Sequence, residues 1–123
     1  MSCIFKSSKS DNNRETRIYF SNDGEYKYES KYENGKLHGV SATFNRVGEL
    51  ISKTEYRNGL LHGSMIKFFS DGEVMYKCQY LIGEKHGEEV FYYENRIIKR
   101  INIYEYGNKV STKRYNEDGT YIH

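Results

Sequence analysis

At 123 residues the chain is long enough for one domain and too short for two full-sized cores. Its 19 Lys and Arg against 17 Asp and Glu leave a formal charge of +2, which excludes a field strong enough to mark the whole chain as a binder of nucleic acid or of membrane surfaces. Ile, Leu, Val and Phe supply only 26 residues, which excludes a deep aliphatic core.

What compensates is an excess of 13 Tyr and 11 Gly, with no Pro and no Trp. Tyr has a large apolar body and a polar tip, so it suits a thin structure whose residues are half buried.

Residues 1–16 are rich in Ser, Lys, Asn and Asp and lack the pattern that follows. They read as a flexible N-terminal arm, with Ile4 and Phe5 as the anchors that could fold back on the first hairpin. The first ten residues hold no apolar run of signal-peptide length, and no stretch approaches a membrane span. The reading is a cytoplasmic protein without membrane insertion. Cys3 and Cys78 match neither a disulfide framework nor a metal-ligand spacing.

From residue 17 to 123 a repeat domain with a period of 24 residues is visible. The tracts YENGKLHG at 32–39, YRNGLLHG at 56–63 and YLIGEKHG at 80–87 align, and YEYGNKVS at 104–111 keeps Tyr and Gly but loses His-Gly. Between them Phe20, Phe44, Phe68 and Tyr92 form one column, and Gly24, Gly48, Gly72 and Arg96 the next. Gly119 follows Tyr115 as Gly48 follows Phe44, which starts a fifth unit with one residue deleted.

Each unit has two segments of period-2 patterning, the strand signature. Tyr26, Tyr28, Ser30 and Tyr32, then Leu50, Ser52, Thr54 and Tyr56, then Val74, Tyr76, Cys78 and Tyr80 alternate with residues that are polar except for Ile51 and Met75. The other segments bring Ile18 with Phe20, Ala42 with Phe44, Ile66 with Phe68, and Val90 with Tyr92, and we expect all of these on one face as the core. Asn34-Gly35, Asn58-Gly59, Asp23-Gly24, Asp71-Gly72 and Asp118-Gly119 fit turns that need positive φ. The expected fold is all-β: an elongated single-layer antiparallel meander of about five hairpins.

The pattern Tyr-x2-Gly-x2-His-Gly-x4-Phe-x3-Gly-x-Leu resembles the MORN-repeat variant of bacterial antitoxin-type proteins, over residues 17–121. The resemblance implies an open sheet of hairpins without enzymatic activity and does not identify a partner. The chain departs from the pattern at Arg96, at Val110-Ser111 and at the deletion before Tyr115, so the last unit is expected to be a divergent cap.

Three constellations could carry chemistry. His38, His62 and His86 recur at equivalent places, but neighbours in the column are expected about 9 to 10 Å apart, too far for one metal. Each is expected to fix its own turn by hydrogen bonding to backbone or to the next hairpin's Tyr. Glu88 and Glu89 beside His86 point to opposite faces of a strand and read as solvated carboxylates. The Tyr and Phe columns could stack nucleic-acid bases, but repetition on one face favours a core. No nucleophile-elbow or P-loop motif occurs. We expect no enzyme, no cofactor and no bound metal.

On the face opposite the ladder, the early units carry charged residues, whereas the later ones carry Phe69, Met75, Phe91, Tyr93, Ile97, Ile101 and Ile103. Phe91 is expected between Lys77 and Lys99, and with Arg100 these give an apolar stripe with a basic rim. Residues 96–114 hold six cations against Glu105 alone. Such a stripe reads as a docking surface for another protein; the resemblance implies that this partner is a toxin or nuclease-type effector that the chain would neutralise. A homodimer through this face or through a sheet edge, nucleic acid on the basic units, and association with lipid headgroups are the alternatives.

Overall fold

Five hairpins and one added strand make a single open antiparallel sheet in the computed structural model, which describes residues 4–9 and 13–123. The strands are β1 (Ile4–Lys9), β2 (Arg14–Phe20), β3 (Tyr26–Glu33), β4 (Lys36–Leu37), β5 (Gly39–Asn45), β6 (Leu50–Arg57), β7 (Leu60–Phe68), β8 (Val74–Leu81), β9 (Glu84–Tyr92), β10 (Ile98–Glu105), β11 (Asn108–Tyr115) and β12 (Tyr121–Ile122). Their spatial order follows the chain, with β4 pairing β3 beside β5. The all-β meander is therefore as expected, and the sheet does not close.

Strand pairing begins ahead of residue 17. Arg14 already pairs with Glu33, and Ile4–Lys9 runs antiparallel to β2 in the register Ile4↔Phe20 and Lys9↔Glu15. Residues 1–3 and 10–12 of the expected arm lie outside the described residues. An edge strand is recruited by backbone hydrogen bonds alone, so β1 needs none of the repeat's side-chain pattern.

The turns alternate between two kinds. Asn34-Gly35, Asn58-Gly59, Ile82-Gly83 and Tyr106-Gly107 all have positive φ at both residues, the two-residue hairpin form. At the other end of the strands a longer turn recurs, in which Asn45 N–H donates to the Glu49 carbonyl and Gly48 N–H to the Asn45 carbonyl, both at 3.0 Å. Arg96 occupies the place of that glycine and keeps its positive φ, at 74°.

The histidine column stitches hairpins together. The Nδ1 atoms of His38, His62 and His86 accept from the backbone N–H of Asn58, Ile82 and Tyr106 at 3.2, 3.3 and 3.1 Å. The adjoining carbonyls of Leu37, Leu61 and Lys85 accept from Gly59, Gly83 and Gly107 at 2.7 to 2.8 Å. Each unit thus grips the tip of the next one through one side chain and one carbonyl.

His-Gly also explains the deletion in the last unit. Between β6 and β7 the register runs from Thr54↔Met65 to Tyr56↔Leu61, so Glu55 alone faces His62, Gly63 and Ser64. Gly63 sits there at φ 104°, and a Cβ on it would run into the Glu55 side chain. In β10 and β11 the register runs from Ile103↔Ser111 to Tyr104↔Lys109, a bulge of one residue at Val110. Loss of His-Gly and loss of one residue are the same change.

Candidate docking groove and the carboxylate cluster beside it

Register decides which residues share a face, and it divides the expected stripe. Direct cross-strand partners lie on one side of a sheet, and the pairs Tyr76↔Phe91 and Phe91↔Arg100 put the Tyr ladder and Phe91 together. Val90 pairs with Lys77 and Ile101, which places those three on the opposite side, with Ile103 beside Glu88. Phe91 and Ile101 therefore do not belong to one surface. Lys77 does not flank Phe91, and the expected single core face divides: Ile18, Ala42, Ile66 and Val90 form a row with Glu29, Lys53 and Lys77 on the side opposite Tyr28, Thr54, Tyr76 and Cys78.

Bulges separate Val74 from Tyr76 and Phe91 from Ile101. Phe68 pairs with Val74, but the next pair is Lys67↔Tyr76, so Met75 is an inserted residue. The same happens between Ile98 and Arg100, where Lys99 is inserted. A single inserted residue exchanges the faces of everything beyond it.

Those bulges build a groove at the long-turn end of β7 to β10. Phe69, Met75, Tyr76, Phe91 and Tyr93 line it with Lys67, Lys99 and Glu94, around an open volume of about 480 Å³. Phe69, Met75, Phe91, Tyr93 and Lys99 of the expected stripe come together here. Ile97 lies in the adjoining turn, where its carbonyl accepts from Tyr93 N–H at 2.8 Å.

The aromatic rings are held by one another and by cations. Tyr76 meets Phe91 edge-on with centroids 4.9 Å apart. The Arg100 guanidinium lies 4.2 Å over the Phe91 ring, Lys99 Nζ lies 5.6 Å over Tyr93, and Lys67 Nζ lies 5.7 Å over Tyr76. Tyr93 Oη donates to the Tyr115 carbonyl at 2.8 Å, which fixes that ring against β11.

Behind the groove, on the same face, lies a cluster that sequence reasoning missed. Among the described residues the buried ones are Cys78, Val90, Glu89 and Asn102. Glu88 is exposed but Glu89, at 3% exposure, is not the solvated carboxylate expected. Tyr76 Oη and Lys85 Nζ donate to Glu89 Oε2 at 2.6 and 2.7 Å, and Asn102 Nδ2 donates to Oε1 at 2.8 Å. Thr112 Oγ1 in turn donates to Asn102 Oδ1 at 2.6 Å. Four strands, β8 to β11, are joined through one carboxylate.

Burial by itself would raise the Glu89 carboxyl, but the hydrogen bonds from Asn102, Lys85 and Tyr76 outweigh it and hold the group at about 2. Tyr76 is pushed well above the phenol range, first by burial and then by donating to Glu89. The hydrogen bond to Glu89 raises Lys85, and burial raises the Cys78 thiol. A carboxylate with both oxygens engaged and almost no exposure is suited to tying strands, not to meeting a substrate. The signal that could have found it is the column Ser41, Met65, Glu89, in which one unit replaces a small or apolar residue by an acid while Asn102 takes the place of Cys78 in the next strand's column.

Among the described residues no group of three His, Cys, Asp or Glu side chains is placed to hold a metal ion, and no helix is long and apolar enough to cross a membrane. No family model matches the chain, and no curated protein is similar to it.

Proposed function

We propose that the chain is a MORN-type repeat module without catalytic activity that acts in the cytoplasm by docking on, and neutralising, another protein such as a toxin or nuclease-type effector. The groove of Phe69, Met75, Phe91 and Tyr93 carries the reading, because it is a preformed apolar recess on one layer of sheet, rimmed by cations. Lys67, Lys99 and Arg100 form no ion pair among the described residues, which favours an acidic partner surface.

Nucleic acid is the weaker reading. Base stacking needs open ring faces, and Phe91, Tyr93 and Tyr76 each carry a cation over the ring. A second copy of the chain is disfavoured at this site because it would bring Lys67, Lys99 and Arg100 against their own kind.

The test is capture from native lysate by the immobilised chain and by two variants, followed by coexpression of the captured protein. Met75→Gln in the groove is expected to lose both capture and protection from toxicity. Lys53→Glu on the opposite face is expected to keep both. Equal capture by Met75→Gln would refute docking at the groove.

A further inference from the structure

Arg100 and Arg114 are direct cross-strand partners on β10 and β11. Like charges in that position repel, and Lys99 adds a third. Tyr93, Lys99, Arg100, Arg114, Tyr115 and Ile122 line a recess of about 140 Å³ that contains no carboxylate. Among the described residues none of the three cations forms an ion pair. Arg100 Nε is buried with no hydrogen-bond partner, although a buried guanidinium donor is costly to leave bare. The recess shares Tyr93 and Lys99 with the apolar groove, so the two are continuous.

We infer that Lys99, Arg100 and Arg114 form an oxyanion site that accepts a carboxylate side chain of the docked protein, next to the apolar residue that enters the groove. The inference rests on the docking reading for the source of its ligand. An incoming carboxylate neutralises the Arg100–Arg114 repulsion, and the fork of a guanidinium matches its two oxygens. A phosphate would satisfy the same donors. The capped rings beside the site and the apolar groove continuous with it favour an amino-acid side chain over a nucleotide.

The experiment follows the arginine Nε–H signals of the full chain by nitrogen-15 NMR while sodium glutarate is added at constant ionic strength. Saturable shifts of Arg100 and Arg114 are expected, with binding about tenfold weaker in Arg114→Gln, in line with loss of one charge-assisted hydrogen bond. Arg114 is exposed, so its replacement leaves the circular dichroism spectrum unchanged. Drift without saturation, or the same shifts with chloride, would overturn the site. In a second arm hexaglutamate and hexathymidylate compete for the same signals, and tighter binding of the oligonucleotide would overturn the carboxylate assignment. Met75 does not line the recess, so Met75→Gln leaves the glutarate response intact while abolishing capture, and the two readings fail separately.

Discussion

Glu89 and Asn102 face each other across β9 and β10 as direct partners, and Asn102 Nδ2 donates to Glu89 Oε1 at 2.8 Å. This pair is the centre of the buried part of a sheet that has no second layer. In a chain with few aliphatic residues, a satisfied polar cluster does the joining that a hydrophobic core does elsewhere.

The pH dependence of stability follows from Glu89. Its carboxyl is held at about 2 in the fold against an ordinary 4.5. A depressed folded value means that the contribution is complete above the unfolded value and is lost as pH falls through the folded one. About 3 kcal/mol should therefore disappear between pH 4.5 and 2. Urea titrations across that range should show the loss in the natural chain and a much flatter profile in Glu89→Gln.

Asn102→Leu removes a donor to Glu89 and the acceptor for Thr112. The apolar replacement leaves a buried carboxylate oxygen bare, and the expected cost is about 2 to 4 kcal/mol. Thr112→Val, which leaves the Glu89 bonds in place, should cost about 1 kcal/mol. Equal losses for both variants in chemical denaturation would show that Glu89 is not the focus of the cluster.

His62→Ala removes the acceptor of the Ile82 N–H. The bond lies at an exposed turn, so the global loss should be about 1 kcal/mol, with faster hydrogen exchange at the Ile82 amide. Exchange at the Asn58 amide, held by His38, should not change.

Ile82 is a β-branched residue at φ 47°, at a turn position where the two preceding units have Asn34 and Asn58. Left-handed backbone is costly for such a side chain and cheap for Asn. Ile82, at 66% exposure, has little burial to lose. Ile82→Asn should stabilise the chain by about 1 kcal/mol, read as a higher denaturation midpoint with unchanged slope.

These cases separate what was legible in the sequence from what was not. The period, the hairpins and the glycine turns were open to reading because Gly and Asn appear at most of the places where the chain takes positive φ, and each histidine bonds to backbone as expected, though at the turn of the next unit and not its own. The faces of the later strands were not, because Met75 and Lys99 look like ordinary members of an alternating strand. Each is an inserted residue, and the alternation resumes on the other side of the sheet. Ile101 and Ile103 were thereby grouped with Phe91, from which the sheet separates them. Glu89 was hidden for another reason: its neighbours in the cluster come from β8, β10 and β11 and from its own strand, and only the register brings them together.

The most direct test of docking at the groove is lysine footprinting of the complex with the captured protein. Reductive methylation should be suppressed at Lys67 and Lys99, which border the groove, and should proceed at Lys53 and Lys77, which lie on the opposite face beside Ala42, Ile66 and Val90. Protection of Lys53 and Lys77 with Lys67 and Lys99 left reactive would contradict it.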